Sequence, residues 1–267
     1  MTARQASPLL CVVTGMEHSG TTFLSKLLTA HPRVNAAFEC GVLLGDSPAE
    51  IPKLEPWSDW FVKPIEEGHW GLTPSQFAEV AAAADWDGAY ARIIEHCPLF
   101  LEGETQIVDK SPRYLQDLPE ILAKVPNTPC LVLEKDALLM FHSYKRRGFG
   151  VKRFASYFNR CQSALREAEK QFSVLRVSQE RLSANQSEVF RELCDYLGLE
   201  FDEQYVNRRW CKHHMFGISF VWLFKKPYDF DKARERADAE VTREERAYLV
   251  DNLQRIGHDT MFTLLDA

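Results

Sequence analysis

The stretch TGMEHSGTTFLSKLL, Thr14 to Leu28, constrains the fold more than any other part of this 267-residue chain. An apolar run, Leu9 to Val13, leads into it, and a helical pattern follows it as far as His31-Pro32. Strand, glycine-bounded turn and helix in direct succession is the context that a phosphate-binding loop requires. Gly15 and Gly20, at G-x-x-x-x-G spacing, let backbone N–H groups turn inward, and the helix N-terminus adds partial positive charge. Thr21 and Thr22 suit helix capping and also suit donation of hydroxyls to an anion. The lysine of nucleoside triphosphatases is absent, because Thr21-Thr22 stand where Lys-Ser/Thr would. That lysine holds the β- and γ-phosphates, so triphosphate hydrolysis is disfavoured. A ligand that ends in a sulfonate and needs no metal fits the loop better.

The rest of the chain agrees with an α/β fold. Runs at 9–14, 34–38, 105–108, 130–133 and 173–177 are apolar throughout rather than alternating, as strands buried on both faces are. Helical patterns cover 74–96, 136–147, 151–171 and 185–199. Strands alternating with helices predict a P-loop-like three-layer αβα architecture around a central parallel sheet. The length suits one domain over 1–267. The segment 51–74 has four prolines and three tryptophans without periodicity and reads as an ordered loop or cap. A second aromatic-rich stretch covers 210–230, and 235–267 reads as C-terminal helices.

Composition excludes several classes. The net charge of −6 gives no basic field for nucleic acid or an anionic membrane, so a polyanion must be held by a local cluster. No stretch approaches the roughly 20 apolar residues of a membrane helix, and the N-terminal run is too short for a signal peptide. The expectation is a cytoplasmic protein. Seven scattered cysteines without a C-x-x-C pair read as buried free thiols.

Five segments together resemble the PAPS-dependent sulfotransferases, PAPS being 3′-phosphoadenosine 5′-phosphosulfate. GMEHSGTTFLSKLLTAHPRV is similar to the 5′-phosphosulfate loop of the bacterial, carbohydrate and tyrosylprotein branch, in which Gly-x-x-Arg-Ser-Gly-Thr-Thr precedes a helix and His-Pro. LVLEKDALLMFHSYKRRG is similar to the 3′-phosphate element, with Lys135 at the Arg position, Ser143 at the Ser position and Asp136 as helix N-cap. VDKSPRYL resembles the Lys-Ser/Thr-Pro segment of the active site, and 175–203 resembles a strand-loop-helix that ends in the chain's own YLGL. HHMFGIS, 213–219, resembles a degraded His-His-x-x-Gly-Asn loop of the family, with Ile218 in place of Asn.

The resemblance implies a single sulfotransferase-like domain, with 51–100 as an acceptor-side cap. It implies PAPS as sulfuryl donor, no metal, and a small-molecule or glycan acceptor carrying a hydroxyl or amine. His18, Ser19, Gly20, Thr21, Thr22, Lys135 and Ser143 would bind PAPS. Glu39, Lys110 and His18 would act in catalysis: Glu39 as base, Lys110 on the developing charge, and His18 where relatives keep Arg or Lys. His69 is the second choice of base. Trp57, Trp60, Trp70 and Phe61 suit a ring-bearing or glycan ligand. The basic run 144–153 either extends the 3′-phosphate site or is a solvated helix end. Against this stand a P-loop phosphotransferase and a catalytically impaired PAPS- or PAP-binding protein. Neither nucleic acid nor membrane insertion is expected, and the oligomeric state stays open.

Overall fold

The structure, a computed structural model, describes residues 7–67, 69–206, 228–255 and 259–266. In chain order its elements are β1 (Leu9–Thr14), α1 (Thr21–Leu28), β2 (Val34–Asn35), α2 (Trp57–Val62), α3 (Pro74–Ala81), α4 (Trp86–His96) and β3 (Gln106–Lys110). There follow α5 (Leu118–Ala123), β4 (Cys130–Glu134), α6 (Ala137–Lys145), α7 (Val151–Glu169), β5 (Val174–Ser178), α8 (Gln179–Ala184) and α9 (Gln186–Leu197). The last are α10 (Phe230–Glu240), α11 (Arg243–Asn252) and α12 (Thr263–Asp266). The strands form one parallel sheet of order β2-β3-β1-β4-β5. All six residues of β1 are buried, as its apolar sequence requires of a central strand.

Side chains alternate across the sheet and divide the core in two. In β4, Leu131 and Leu133 face a cluster with Leu24 and Leu27 of α1 and Phe190 and Leu193 of α9. Cys130 and Val132 face the larger cluster, which holds Phe141 of α6, Phe154 and Phe158 of α7, and Leu249 of α11. Helices therefore cover both faces, which is the three-layer arrangement expected. Cys11, Cys40, Cys97, Cys130, Cys161 and Cys194 are buried free thiols, and Cys211 lies outside the described residues.

Some boundaries differ from the sequence expectation. The second strand has two residues rather than five, because the chain beyond Asn35 leaves the sheet edge: Lys26 of α1 donates to the carbonyls of Ala36 and Ala37. The single helix expected over 74–96 is two, because Asp85 caps a new helix by accepting from Gly88 N at 2.7 Å. The segment 51–74, expected as an ordered loop or cap, contains the helix α2. β3 runs two residues further than expected and takes Asp109 and Lys110 into the sheet. The loop 213–219 and most of the stretch 210–230 lie outside the described residues.

Candidate active site

The carboxyl ends of β3, β1 and β4 are neighbours in the sheet, and each delivers one part of a site. In parallel α/β sheets this edge is where ligands bind. At the centre, β1 turns through residues 15–20 into α1. A Cβ on Gly15 would lie 2.5 Å from the Leu133 carbonyl oxygen, so only glycine lets the loop pass β4 this closely. Gly20 caps α1 with φ +102°, and His18 is a non-glycine residue at φ +69°, a left-handed turn that L-residues seldom adopt. The Ser19 hydroxyl is buried and has no hydrogen-bond partner among the described residues. A buried orphan hydroxyl costs stability unless a ligand satisfies it, so the loop fits an anion.

His18 is exposed on one side and meets the Tyr144 ring edge-on at 5.6 Å. Its pKa is lowered from 6.5, first by desolvation and then by the positive charge of Arg147; Glu17 pulls the other way and Lys135 adds to the lowering. At the end of β4, the Lys135 ammonium donates to Ser143 Oγ at 3.3 Å, and Ser143 in turn donates to Leu139 O at 2.9 Å. Asp136 caps α6 by accepting from Leu138 N and Leu139 N at 2.8 and 3.2 Å. The cap fixes the helix that carries Ser143 to the strand end that carries Lys135. Burial pushes the Lys135 pKa down to about 8, with Asp136 opposing and Arg147 adding to the fall. Part of the basic run after Ser143 is committed elsewhere, since Lys145 pairs with Glu245 at 2.6 Å and Arg153 lies over the Phe149 ring. Arg147, however, donates to Ser143 O at 2.9 Å, and its charge bears on His18 and Lys135.

At the end of β3, Lys110 is 1% exposed and donates to Glu39 Oε1 at 3.1 Å, where Glu39 remains 22% exposed. A lysine that reads as a surface residue in isolation is here a buried cation paired with a carboxylate that reaches solvent. Desolvation lowers the Lys110 pKa, and Glu39 resists the fall. Behind it, Asp109 is fully buried and accepts from Tyr90 and Tyr114 at 2.5 and 2.9 Å; burial raises its pKa to about 6. The backbone is fixed as well. Cys40 N donates to Lys110 O at 3.0 Å, Trp70 Nε1 to Glu39 O at 3.2 Å, and Thr14 Oγ1 to Ser111 O at 2.9 Å.

The aromatic cap needs correction. Phe61 and Trp70 are fully buried and stacked on each other at 5.2 Å, so they anchor the cap to the core and present no face to a ligand. The part-exposed rings are Phe38, Trp57, Trp60 and His69. Phe38 sits edge-on to Trp60 at 5.0 Å and to His69 at 5.4 Å, and the Lys110 ammonium lies 5.1 Å from the Phe38 ring. His69 stacks on Trp60, and desolvation lowers its pKa from 6.5. Sequence reasoning omitted Phe38, whose place beside Glu39 was the available signal. It also omitted Lys26 and Asp109, which nothing in local composition marks as buried charges.

The profile described as Sulfotransferase family matches residues 11–203. The chain belongs to the sulfotransferase family. The structure is similar to the sulfotransferase domain of the olefin synthase of Synechococcus PCC 7002, at 19% identity and TM-score 0.63, covering 100% of this chain and 96% of that one. It is similar to the sulfotransferase domain of the curacin biosynthetic pathway at 16% identity and TM-score 0.59, covering 93% and 98%. Mouse sulfotransferase SULT7A1, solved with PAP, aligns at 11% identity and TM-score 0.52, covering 98% and 90%. At these identities the likeness shows the fold. No curated protein sequence matches the chain. The all-parallel five-stranded sheet with its strand-end loop is thus the P-loop-like fold of sulfotransferases. Among the described residues no His, Cys, Asp and Glu cluster suits a metal ion, and no helix is long and apolar enough to cross a membrane.

Proposed function

We propose that this protein transfers a sulfuryl group from PAPS to a hydroxyl or amine of a small-molecule or glycan acceptor. The observation that carries the reading is the pair of anion-binding elements on adjacent strands: the 15–22 loop at the end of β1, and Lys135 with Ser143 at the end of β4. Two such elements suit a nucleotide with two separate phosphate-type groups. PAPS, when bound, supplies the sulfuryl group and a phosphate leaving group.

The protein's own residues supply the rest. The loop amides, the α1 N-terminus and the Ser19, Thr21 and Thr22 hydroxyls receive the 5′ end, with His18 beside them. Lys135 and Ser143 receive the 3′-phosphate as a point charge and a hydroxyl. Lys110 places a fixed, desolvated cation where negative charge develops, and such preorganised charge acts more strongly than in water. Glu39 accepts the acceptor's proton while its Oε1 holds Lys110 in place. The part-exposed rings around Phe38 and Trp60 offer the acceptor an apolar wall beside that pair. His69 belongs to the wall and remains the second choice of base.

Calorimetry with PAP, with and without Mg²⁺, tests the donor. Metal-free binding at micromolar PAP supports the reading, and a preference for ATP-Mg²⁺ sinks it in favour of phosphoryl transfer. Turnover with PAPS and a panel of acceptors tests the chemistry; PAP binding with no turnover on any acceptor points to an impaired enzyme. Glu39→Gln is expected to lower kcat by about 10²–10⁴, the range for loss of a positioned base, with little change in PAP affinity. If Glu39→Gln turns over normally while His69→Ala does not, the base is His69.

A further inference from the structure

Glu17 is a carboxylate inside a phosphate-binding loop, where a free negative charge would repel the ligand. It is not free. The hydroxyls of Tyr144 and Tyr157 both donate to its Oε2, the latter at 2.7 Å. Tyr144 is the residue after Ser143 on α6, and Tyr157 is on α7. The Tyr144 ring is held in turn by Phe149 at 5.2 Å and Phe154 at 5.3 Å, and edge-on by His18. Gln116 donates to the Tyr157 hydroxyl at 3.2 Å and steadies it. Burial, and then the Glu17 charge, raise the Tyr144 pKa, which keeps its hydroxyl protonated and donating.

We propose that Glu17 is a positioning residue that ties the 15–22 loop to the Lys135–Ser143 element, setting the distance between the two anion sites before ligand arrives. This rests on the two-ended PAPS reading above. The carboxylate joins the loop to the very helix that carries Ser143, through side chains packed on several sides. A clamp set in advance spares a bisphosphate the cost of fixing both halves at once. A ligand that occupies one half gains nothing from the link.

The test compares adenosine 3′,5′-bisphosphate with adenosine 5′-monophosphate by calorimetry on the full chain, in wild type, Tyr144→Phe and Glu17→Ala. Each variant removes one side of the hydrogen bond between the loop and the helix that carries Ser143. The readout is the ratio of the two dissociation constants, monophosphate over bisphosphate. Glu17→Ala removes a negative charge and is expected to tighten the monophosphate, while Tyr144→Phe is expected to weaken it slightly. In both variants the ratio should nevertheless fall by about fivefold or more, the lower end of site-to-site coupling. A role limited to packing or to local charge shifts both ligands together and leaves the ratio alone. An unchanged ratio in both variants overturns the inference and leaves the PAPS reading intact. A wild-type protein that binds the bisphosphate no tighter than the monophosphate overturns both. Tyr144→Phe preserves shape and volume, so the comparison stands even if Glu17→Ala fails to fold.

Discussion

The residue that most distinguishes this loop is His18, which stands where the family resemblance places a permanent cation. Without ligand, its pKa lies below 6.5 through desolvation and then Arg147. A bound dianion raises it again, so binding takes up a proton. Affinity is then greatest below the ligand-free pKa, falls as pH rises toward the bound-state pKa, and levels off above it. Lys135, with a pKa of about 8, adds a second fall at higher pH. The expected outcome is that PAP binding weakens steadily from pH 6 to 9. His18→Arg should remove the lower part of that slope and Lys135→Arg the upper part. A wild-type profile flat over this range sinks the account of His18. Gly15 gives a sharper steric case: the Cβ of Gly15→Ala would meet the Leu133 carbonyl, which is held in β4. That variant should lose several kcal/mol of stability, the range reserved for backbone conflict in a packed core, as read by urea denaturation.

At the scale of elements, α1 does more than present a phosphate loop. Its Lys26 is buried and donates to Ala36 O and Ala37 O, which draws the chain after β2 out of the sheet toward Glu39. Lys26→Met removes the donor that those carbonyls share. It should cost about 2 kcal/mol, within the range for a buried group left unpaired, and should lower kcat more than PAP affinity, because Glu39 follows Ala37 by two residues. Equal kcat and equal urea midpoint would show that the lysine carries neither duty. This contact also explains why the second strand was overestimated. An apolar run at 34–38 announces a buried strand, but Lys26 sits ten residues upstream and its burial is a tertiary fact. The central strands were legible because β1 and β4 are apolar throughout, a local property. The loop 15–22 was legible for the same reason, through its glycines and the strand before it. Lys135 and Ser143 were paired by resemblance, and the structure brings them to 3.3 Å. The burial of Asp109 and of Trp70 was not legible, since each depends on which distant element covers it, and Phe38 was readable only from its place beside Glu39.

At the scale of the whole molecule, the C-terminal helices are fastened to the helix that bears Ser143. His142 and Lys145 of α6 pair with Glu240 and Glu245 at 2.8 and 2.6 Å, and Asp136 accepts from Leu264 N at 3.1 Å. Surface pairs of this kind contribute little individually; the stronger bond is apolar. Ala237, Leu249, Phe262 and Leu265 belong to the same cluster as Phe141 and Phe158, so no boundary separates the C-terminal helices from the core on that face of the sheet. We expect one cooperative unit over the whole chain. Leu249→Ala, which empties a fully buried position on α11, should cost roughly 2–4 kcal/mol and lower the urea midpoint. Tryptophan fluorescence, which reports all six tryptophans, four of them (Trp57, Trp60, Trp70 and Trp86) ahead of β3 in the chain, and far-UV circular dichroism should shift together and stay superimposed. If the variant instead splits into two transitions, with the fluorescence midpoint unmoved, the C-terminal helices unfold on their own. Support of α6 would then be local to that contact and no longer a property of the whole fold.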